Sequence, residues 1–375
     1  MPDQPPEGAI LDRRTLNRTL LARQHLLRRV AMPVAGLIEH LVGLQAQVPR
    51  DPYISLWSRL DAFEADALEQ LLLDRLAVRM TLMRTTLHLV TARDVARLRG
   101  ATQFVCERGF AGSPFRRRLG DAELAPILAL GTALVEERPR TIAELGADLA
   151  QRWPARDAEA MAYAVRYLVP LVQVTPRGLL HRSGAPRVTT VTAWLGDRVA
   201  DDRPADELGD LVVRYLRAFG PATAADVRAW SGLPGAASVL SRLRPRLRTY
   251  RDTGGRELLD VDDGVIAAPE EPAPVRFTGE YDNLFLAHAD RSRITGDLAW
   301  GTSYLRQGAF FVDGFIAGAW RPAPASKAGD AAAIELRPHR AIARSDRDAL
   351  NTEAEELLRL LAPEARIRTV EWSPD

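Results

Sequence analysis

The fold is decided between Asp206 and Val261. There the chain reads DELGDLVVRYLRAF, turns at Gly220-Pro221, continues from Thr223 to Trp230, turns again over Ser231 to Gly235, and runs on as AASVLSRLRPRL and RTYRDTGGRELLDV. Apolar residues in the first segment recur three and four apart, the spacing of an amphipathic helix. Thr223 stands where a second helix would need an N-cap, because its hydroxyl can accept from a backbone N–H that the first turn leaves unpaired. The last segment is two β-like runs either side of Gly254-Gly255, a pair that tolerates the positive φ of a tight hairpin. Three helices and a hairpin are the outline of a winged helix.

The same order comes round twice more upstream. A middle copy has helices at APILALGTALVEE (125–137), TIAELGADLA (141–150) and DAEAMAYAVRYLV (157–169), with Thr141 as cap and Glu144 three residues on. Its hairpin is LVQVTP-RGLLHRS (171–183), folded at Pro176 to Gly178. A longer first copy runs through TLNRTLLARQHLLRR, PVAGLIEHLVGL, a helix near Ser55 to Leu60 and EADALEQLLLDR to a hairpin of AVRMTLMR and TTLHLVTA. The expected fold is α+β and mainly helical: three tandem winged-helix units over 12–100, 121–195 and 205–265. Beyond the acidic, proline-rich Pro269 to Pro274, alternating segments such as VRFTGEYDNLFLAH, GAFFVDGFIAGAW and AAIELRPHRAIA point to a small C-terminal β-barrel over 274–375, with a late helix DALNTEAEELLRLLA and a last strand IRTVEW.

Composition narrows the function classes. A chain of 375 residues with 46% hydrophobic and 26% charged residues is ordinary for a globular protein of several packed units, and no apolar run reaches the length of a membrane span. The start, MPDQPPEGAILDRR, does not read as a secretory signal, so the expected location is the cytoplasm. One cysteine, Cys106, excludes an internal disulfide and a cysteine-based zinc cluster. A formal net charge of +1 means that any nucleic-acid site must be local rather than a property of the whole surface. No P-loop, GxGxxG, GxSxG or HExxH occurs, which removes support for phosphoryl transfer, dinucleotide redox, serine hydrolysis and zincin chemistry.

The segment VGLQAQVPRDPY (42–53) stands out for its polar residues in apolar surroundings. A helix runs out near Gly43-Leu44, and Pro49 and Pro52 forbid its continuation. If the stretch is extended, Gln45 and Gln47 face one way and offer two amides side by side, each with an acceptor and a donor. On their own, two glutamines near a helix end read as surface residues. His88, two residues after Thr86, reads as a strand histidine. The run EYDNLFLAHADRSR gathers Asp282, Asn283, His288, Asp290, Arg291 and Arg293 into either a turn network or a groove-facing patch, and Arg116 to Arg118 read as a solvated turn.

At LVGLQAQVPRDPYISLWSRL, MRTTLHLVTARD, EYDNLFLAHADRSRI and VDGFIAGAW the chain resembles the winged-helix DNA glycosylases described as AlkZ-like or YcaQ-like, from about residue 12 to the C-terminus. The resemblance implies three winged-helix units in a C-shaped body with a C-terminal β-barrel, and a catalytic Gln-apolar-Gln or Gln-apolar-Asp element. Gln45-Ala46-Gln47 fits the first form, associated with removal of bulky natural-product adducts, crosslink unhooking and antibiotic self-resistance. The chain departs from the aspartate form, which puts a general crosslink-repair role in doubt.

The implied activity is monofunctional hydrolysis of the glycosidic bond of alkylated purines, chiefly N7-alkylguanine. Gln47 would orient the water and Gln45 would steady the sugar through its carbonyl dipole, with Asp51 as a reserve carboxylate. Arg84, His88, Asn283, His288, Arg291 and Arg293 are the implied DNA contacts. The expected partner is double-stranded DNA containing alkylated guanine, met by a monomer with no cofactor, no metal and no membrane. The competing reading is a non-catalytic winged-helix DNA binder or transcriptional regulator, although no heptad for dimerisation is present. A small-molecule hydrolase lodged in the barrel is a third, without a nucleophile motif.

Overall fold

The computed structural model describes residues 5–182, 184–199, 203–298, 307–323 and 331–373. Its first segment holds β1 (Ile10–Leu11), α1 (Arg13–Arg23), α2 (Val34–His40), β2 (Leu44–Gln45), α3 (Asp51–Arg59), α4 (Ala65–Leu73), β3 (Ala77–Thr81) and β4 (Leu87–Thr91). The chain continues through α5 (Val95–Ala111) and α6 (Pro114–Leu119) into α7 (Leu124–Glu137), α8 (Ile142–Arg152), α9 (Ala158–Leu168), β5 (Leu171–Gln173), β6 (Val188–Thr190) and α10 (Val191–Leu195). The third segment is α11 (Glu207–Phe219), α12 (Ala224–Ser231), α13 (Ala236–Leu243), β7 (Leu247–Asp252) and β8 (Glu257–Val261). The last is β9 (Arg276–Thr278), α14 (Asn283–Leu286), α15 (Ser292–Thr295), β10 (Gly308–Val312), β11 (Phe315–Pro322), β12 (Ala331–Pro338), α16 (Arg344–Leu361) and β13 (Ile367–Trp372).

Local chemistry sets these boundaries. Thr223 caps α12 and Thr141 caps α8, each in a reciprocal box closed by Asp226 or Glu144. Pro52 does not break α3 but sits in its first turn, where the missing N–H has no intrahelical partner to lose. Ser113 caps α6, so the arginine run 116–118 is helical, and Arg118 is paired with Asp157 and Glu159.

Two expectations are corrected. The middle hairpin does not use RGLLHRS as its return strand: β5 pairs with β6, because Leu179 is spent on packing in the core around Leu44 and Leu89. Ser183, the last residue of that expected strand, lies outside the described residues. The C-terminal strands form an open five-stranded sheet, in the order β13-β12-β11-β10-β9, and among the described residues no barrel closes.

The segments are not separate beads. Strand β3 pairs with β4 on one side and β5 on the other, so a single sheet, β2-β4-β3-β5-β6, spans the first two segments. β1 pairs parallel to β7, tying the start of the chain to the third hairpin. One apolar core takes Leu20 and Val90 from the first segment, Val105 from α5, Tyr215 and Trp230 from the third, and Phe285 and Phe311 from the last. The ion pair between Arg59 and Asp282, with neither side chain exposed, locks α3 to the start of α14. The last of these junctions leads to β2, the strand that ends in Gln45.

Candidate active site

β2 is an edge strand. Leu44 and Gln45 pair with Leu89 and His88 on β4, and the other side of β2 has no strand neighbour. An edge leaves backbone groups unpaired, and if buried they must find other partners. The side-chain amide of Asn283 takes that place: its Oδ1 accepts from Gln45 N at 3.2 Å and its Nδ2 donates to the Gly43 carbonyl at 2.8 Å. Asn283 is positioned by its neighbour. Asp282 caps α14 through Leu284 N and receives two bonds from Arg59 at 3.0 and 2.7 Å and one from Ser55 Oγ at 3.0 Å.

Between the glutamines, Ala46 turns the other way into the core beside Leu44 and Leu89. Its N–H donates to Leu87 O at 2.8 Å, and its carbonyl receives Arg79 Nη2 at 2.6 Å. Arg79 is buried, and Nε and Nη1 have no hydrogen-bond partner; burial, opposed to charge and aided by the nearby Arg177, brings the guanidinium down to about 10. Arg79 was not singled out from sequence. The available signal was a charged residue inside the apolar run AVRMT.

The turn joining β3 to β4 carries Arg84. Arg84 and Thr85 both have left-handed backbone, φ 53° and 59°. Such conformations are costly away from glycine and persist only where the surroundings enforce them. Here the turn is closed by Leu82 N donating to Thr86 O at 3.1 Å and is pressed against Gly109 of α5 and Gly232 after α12. Arg84 Nη2 donates to Gln45 Oε1 at 2.6 Å, and Nη1 donates to the Trp230 carbonyl in the last turn of α12. Burial first, then the charge of Arg291, lower the Arg84 guanidinium to about 10.

The remaining expected residues divide. Gln47 is exposed in a bend past β2, and its amide bonds to no described residue. His88 is buried, with Nδ1 donating to Thr86 O at 3.0 Å; burial and then the Arg84 charge hold the ring neutral, down to about 3. His288 and Arg293 are also interior. His288 Nε2 lies 3.1 Å from the Phe219 carbonyl and 3.1 Å from Arg293 Nη1, which donates to Pro221 O at 2.7 Å. They therefore brace the turn between α11 and α12. Arg291 is half-buried, with Nε donating to Phe285 O at 2.7 Å, and its charge is felt by Arg84. Of the six implied DNA contacts, the structure thus brings Arg84, His88 and Asn283 against Gln45, sets Arg291 near enough to Arg84 for its charge to be felt there, and sets His288 and Arg293 elsewhere.

Asp51 is 3% exposed, and neither carboxyl oxygen has a hydrogen-bond partner. Burial, then the Glu280 carboxylate, push it up to about 8 against the pull of Arg50. It lines a recess of about 30 Å³ with Gly279, Glu280, Gln307, Gly308, Trp320 and Arg321, a space about large enough for one water and lined by neither glutamine. Among the described residues no group of three His, Cys, Asp or Glu could hold a metal ion, and no helix is long and apolar enough to cross a membrane.

The sequence matches the family described as "DNA glycosylase AlkZ-like" over residues 38–360. No curated protein matches it significantly. Among solved structures, the Streptomyces sahachiroi DNA glycosylase AlkZ superposes with a TM-score of 0.74 at 17% identity, covering 97% of this chain and 100% of that one. At that identity the likeness establishes a shared fold.

Proposed function

Because the chain belongs to the AlkZ-like family of DNA glycosylases, we propose that it hydrolyses the N-glycosidic bond of alkylated purines in double-stranded DNA, chiefly N7-alkylguanine, through Gln45 and Gln47. One observation carries this reading. The groups bonded to the glutamine segment are two guanidiniums and an amide, and the one acid in the same stretch, Asp51, keeps its proton at neutral pH and faces another recess. A site with no acid placed to protonate the departing base cannot expel a poor leaving group. Alkylation at N7 makes the purine cationic, so the C1′–N9 electron pair leaves with the base and neutralises it, and the base departs without a strong acid.

What remains is to place a water against C1′. Its oxygen bonds to the electron-poor sugar carbon, and its surplus proton passes to solvent. Gln47, exposed on the bend, orients the water through its carbonyl. Arg84 and Arg291 beside a cationic sugar would oppose its formation, so the site needs counter-charge. Duplex DNA brings it: each flanking phosphate carries one negative charge, and guanidinium is well matched to phosphate. We assign Arg291 to the phosphates flanking the scissile nucleotide. His88 and Asn283 act from beneath, one behind Gln45 on β4 and one along the edge of β2, and His288 and Arg293 support the third segment.

Since Gln47 stands on the surface rather than in a base-sized cavity, the same geometry suits bulky N7 adducts, including one arm of an interstrand crosslink, treated while still stacked. We read 12–100, 121–195 and 205–265 as winged-helix units around this site and 274–375 as the C-terminal unit.

The test uses a duplex oligonucleotide with a single N7-methylguanine. The protein is expected to release the base and leave an abasic site that alkali converts to a strand break. A protein that shifts the duplex in a gel yet leaves no abasic sites is a binder, and the hydrolytic reading then falls.

A further inference from the structure

We propose that Arg84 is a positioning residue: anchored on the last turn of α12, it turns Gln45 so that the amide nitrogen, and not the carbonyl, meets the bound nucleotide. The inference rests on the reading of Gln45 as one of the hydrolytic pair and changes how that residue acts.

The orientation follows from chemistry. A guanidinium has only donors, so the atom 2.6 Å from Arg84 Nη2 must be the carbonyl oxygen of Gln45, whichever way the amide is drawn. The NH2 group then points away from Arg84. It donates to no described residue, and with the residue only 6% exposed, Nε2 is the atom through which Gln45 can reach anything outside the protein. A carbonyl already receiving a charge-assisted bond is a poorer partner for a cationic sugar, while the polarised amide is a better donor. Gln45 Nε2 therefore holds one lone pair of the water whose O–H rests on Gln47, leaving the second lone pair for C1′.

The anchor is built from three elements. The Trp230 carbonyl lies in the last turn of α12, where carbonyls lack intrahelical partners and the helix dipole is negative, a favourable seat for a cation. The residue that ends this helix, Gly232, is left-handed at φ 81°, and a Cβ there would stand 3.3 Å from both N and Cα of Arg84 and 3.0 Å from Val105 Cγ1. A Cβ on Gly109 would collide with Thr85 Cγ2. The left-handed turn is thus gripped by α5 and by the end of α12, and the third segment sets the angle of a side chain in the first.

Substituting Gln45 tests the inference without disturbing the anchor. Gln45→Glu keeps an acceptor for Arg84, loses the NH2, and adds the negative charge that a carbonyl-type role would welcome. In single-turnover excision of N7-methylguanine from a duplex, Gln45→Glu is expected to fall with Gln45→Ala, by roughly 100-fold or more. Arg84→Ala is expected to slow the parent by about tenfold or more and to slow Gln45→Ala hardly further, because both act through one amide. Affinity for the abasic product duplex should stay within about threefold in Gln45→Glu. A Gln45→Glu rate near the parent's, or an Arg84→Ala loss of equal size with and without Gln45, overturns the inference and leaves the hydrolytic reading in place. If Gln45→Ala itself excises at the parent rate, the catalytic assignment of Gln45 falls instead.

Discussion

The hairpins β3–β4 and β7–β8 follow similar helices and end in opposite circumstances. The turn of β7–β8 is exposed and satisfies itself: Asp252 accepts from Gly254 N and Arg256 N, both at 2.9 Å, and Gly255 takes the positive φ with open space around it. Most of its cations are met within the hairpin, Arg244 by Glu257, Arg248 by Asp262 and Arg256 by Asp252, with Asp290 of the last segment as a second partner of Arg256. The turn of β3–β4 has no glycine, places Arg84 and Thr85 in left-handed backbone, is gripped by two helices, and directs its arginine to a neutral amide. A hairpin turn that faces solvent can be built from local sequence. The one whose arginine reaches Gln45 is held by the rest of the protein.

Cutting the mount should show this most strongly. Asn283→Ala leaves the Gly43 carbonyl and the Gln45 N–H without their partner, a loss of about 1–3 kcal/mol in unfolding free energy. Excision should drop by roughly 100-fold, measured at a temperature where the variant is fully folded. An Asn283→Ala protein that excises normally would mean that the edge of β2 does not need its cap. Next in size, Gly232→Ala puts a methyl group against Arg84 and strains a left-handed position, costing about 1–2 kcal/mol. Excision should fall about tenfold, while Gly255→Ala in the other hairpin should change excision by less than twofold.

The two regions also differ in their buried acids. Asp260 on β8 is met by Arg23 at 2.6 and 2.8 Å, whereas Asp51, at the foot of the glutamine segment, has no ion-pair partner among the described residues and is raised from 3.8 to about 8. Below about pH 4 Asp51 is protonated whether the chain is folded or not. Between there and about pH 8 the unfolded chain releases a proton that the folded chain retains, so this group's contribution to stability falls as pH rises and levels off above 8. Asp51→Asn should remove that slope, its Tm advantage over the parent growing from pH 5 to pH 8 by the equivalent of roughly 1–3 kcal/mol. Equal pH profiles would show that the carboxyl finds a partner in solution.

The smallest effect belongs to Gly255→Ala, about 1 kcal/mol of stability for a positive-φ position with room for a methyl group. A larger loss would show that the exposed turn is less self-sufficient than its hydrogen bonds indicate.

Helices in the sequence were legible where one face was apolar and a cap was present, as at α8, α11 and α12. Helix α5 was not, because its buried stripe mixes Arg99 and Thr102 with Leu98, Val105 and Cys106 while Phe104 stands exposed, so the apolar periodicity is weak. Among the described residues the C-terminal strands form a sheet without a closed barrel, because alternating strands specify a sheet but not its closure. At the site, Gln45 and Gln47 were visible as polar residues in apolar company. Their unequal placement was not, since one is fixed by Arg84 and Asn283 across 39 and 238 residues of chain and the other stands on a bend. For His288 and Arg293 a turn network and a groove-facing patch could not be told apart in sequence, because basic residues near a turn read alike whether they face solvent or bond to the backbone of Phe219 and Pro221.

The most direct measurement is the single-turnover rate of base release from N7-methylguanine duplex by the parent, Gln45→Ala and Gln47→Ala proteins, with abasic-duplex affinity measured alongside. If two neutral amides position the water, each substitution slows release by roughly 100- to 1000-fold with affinity nearly unchanged. Release at the parent rate in both variants would contradict the account.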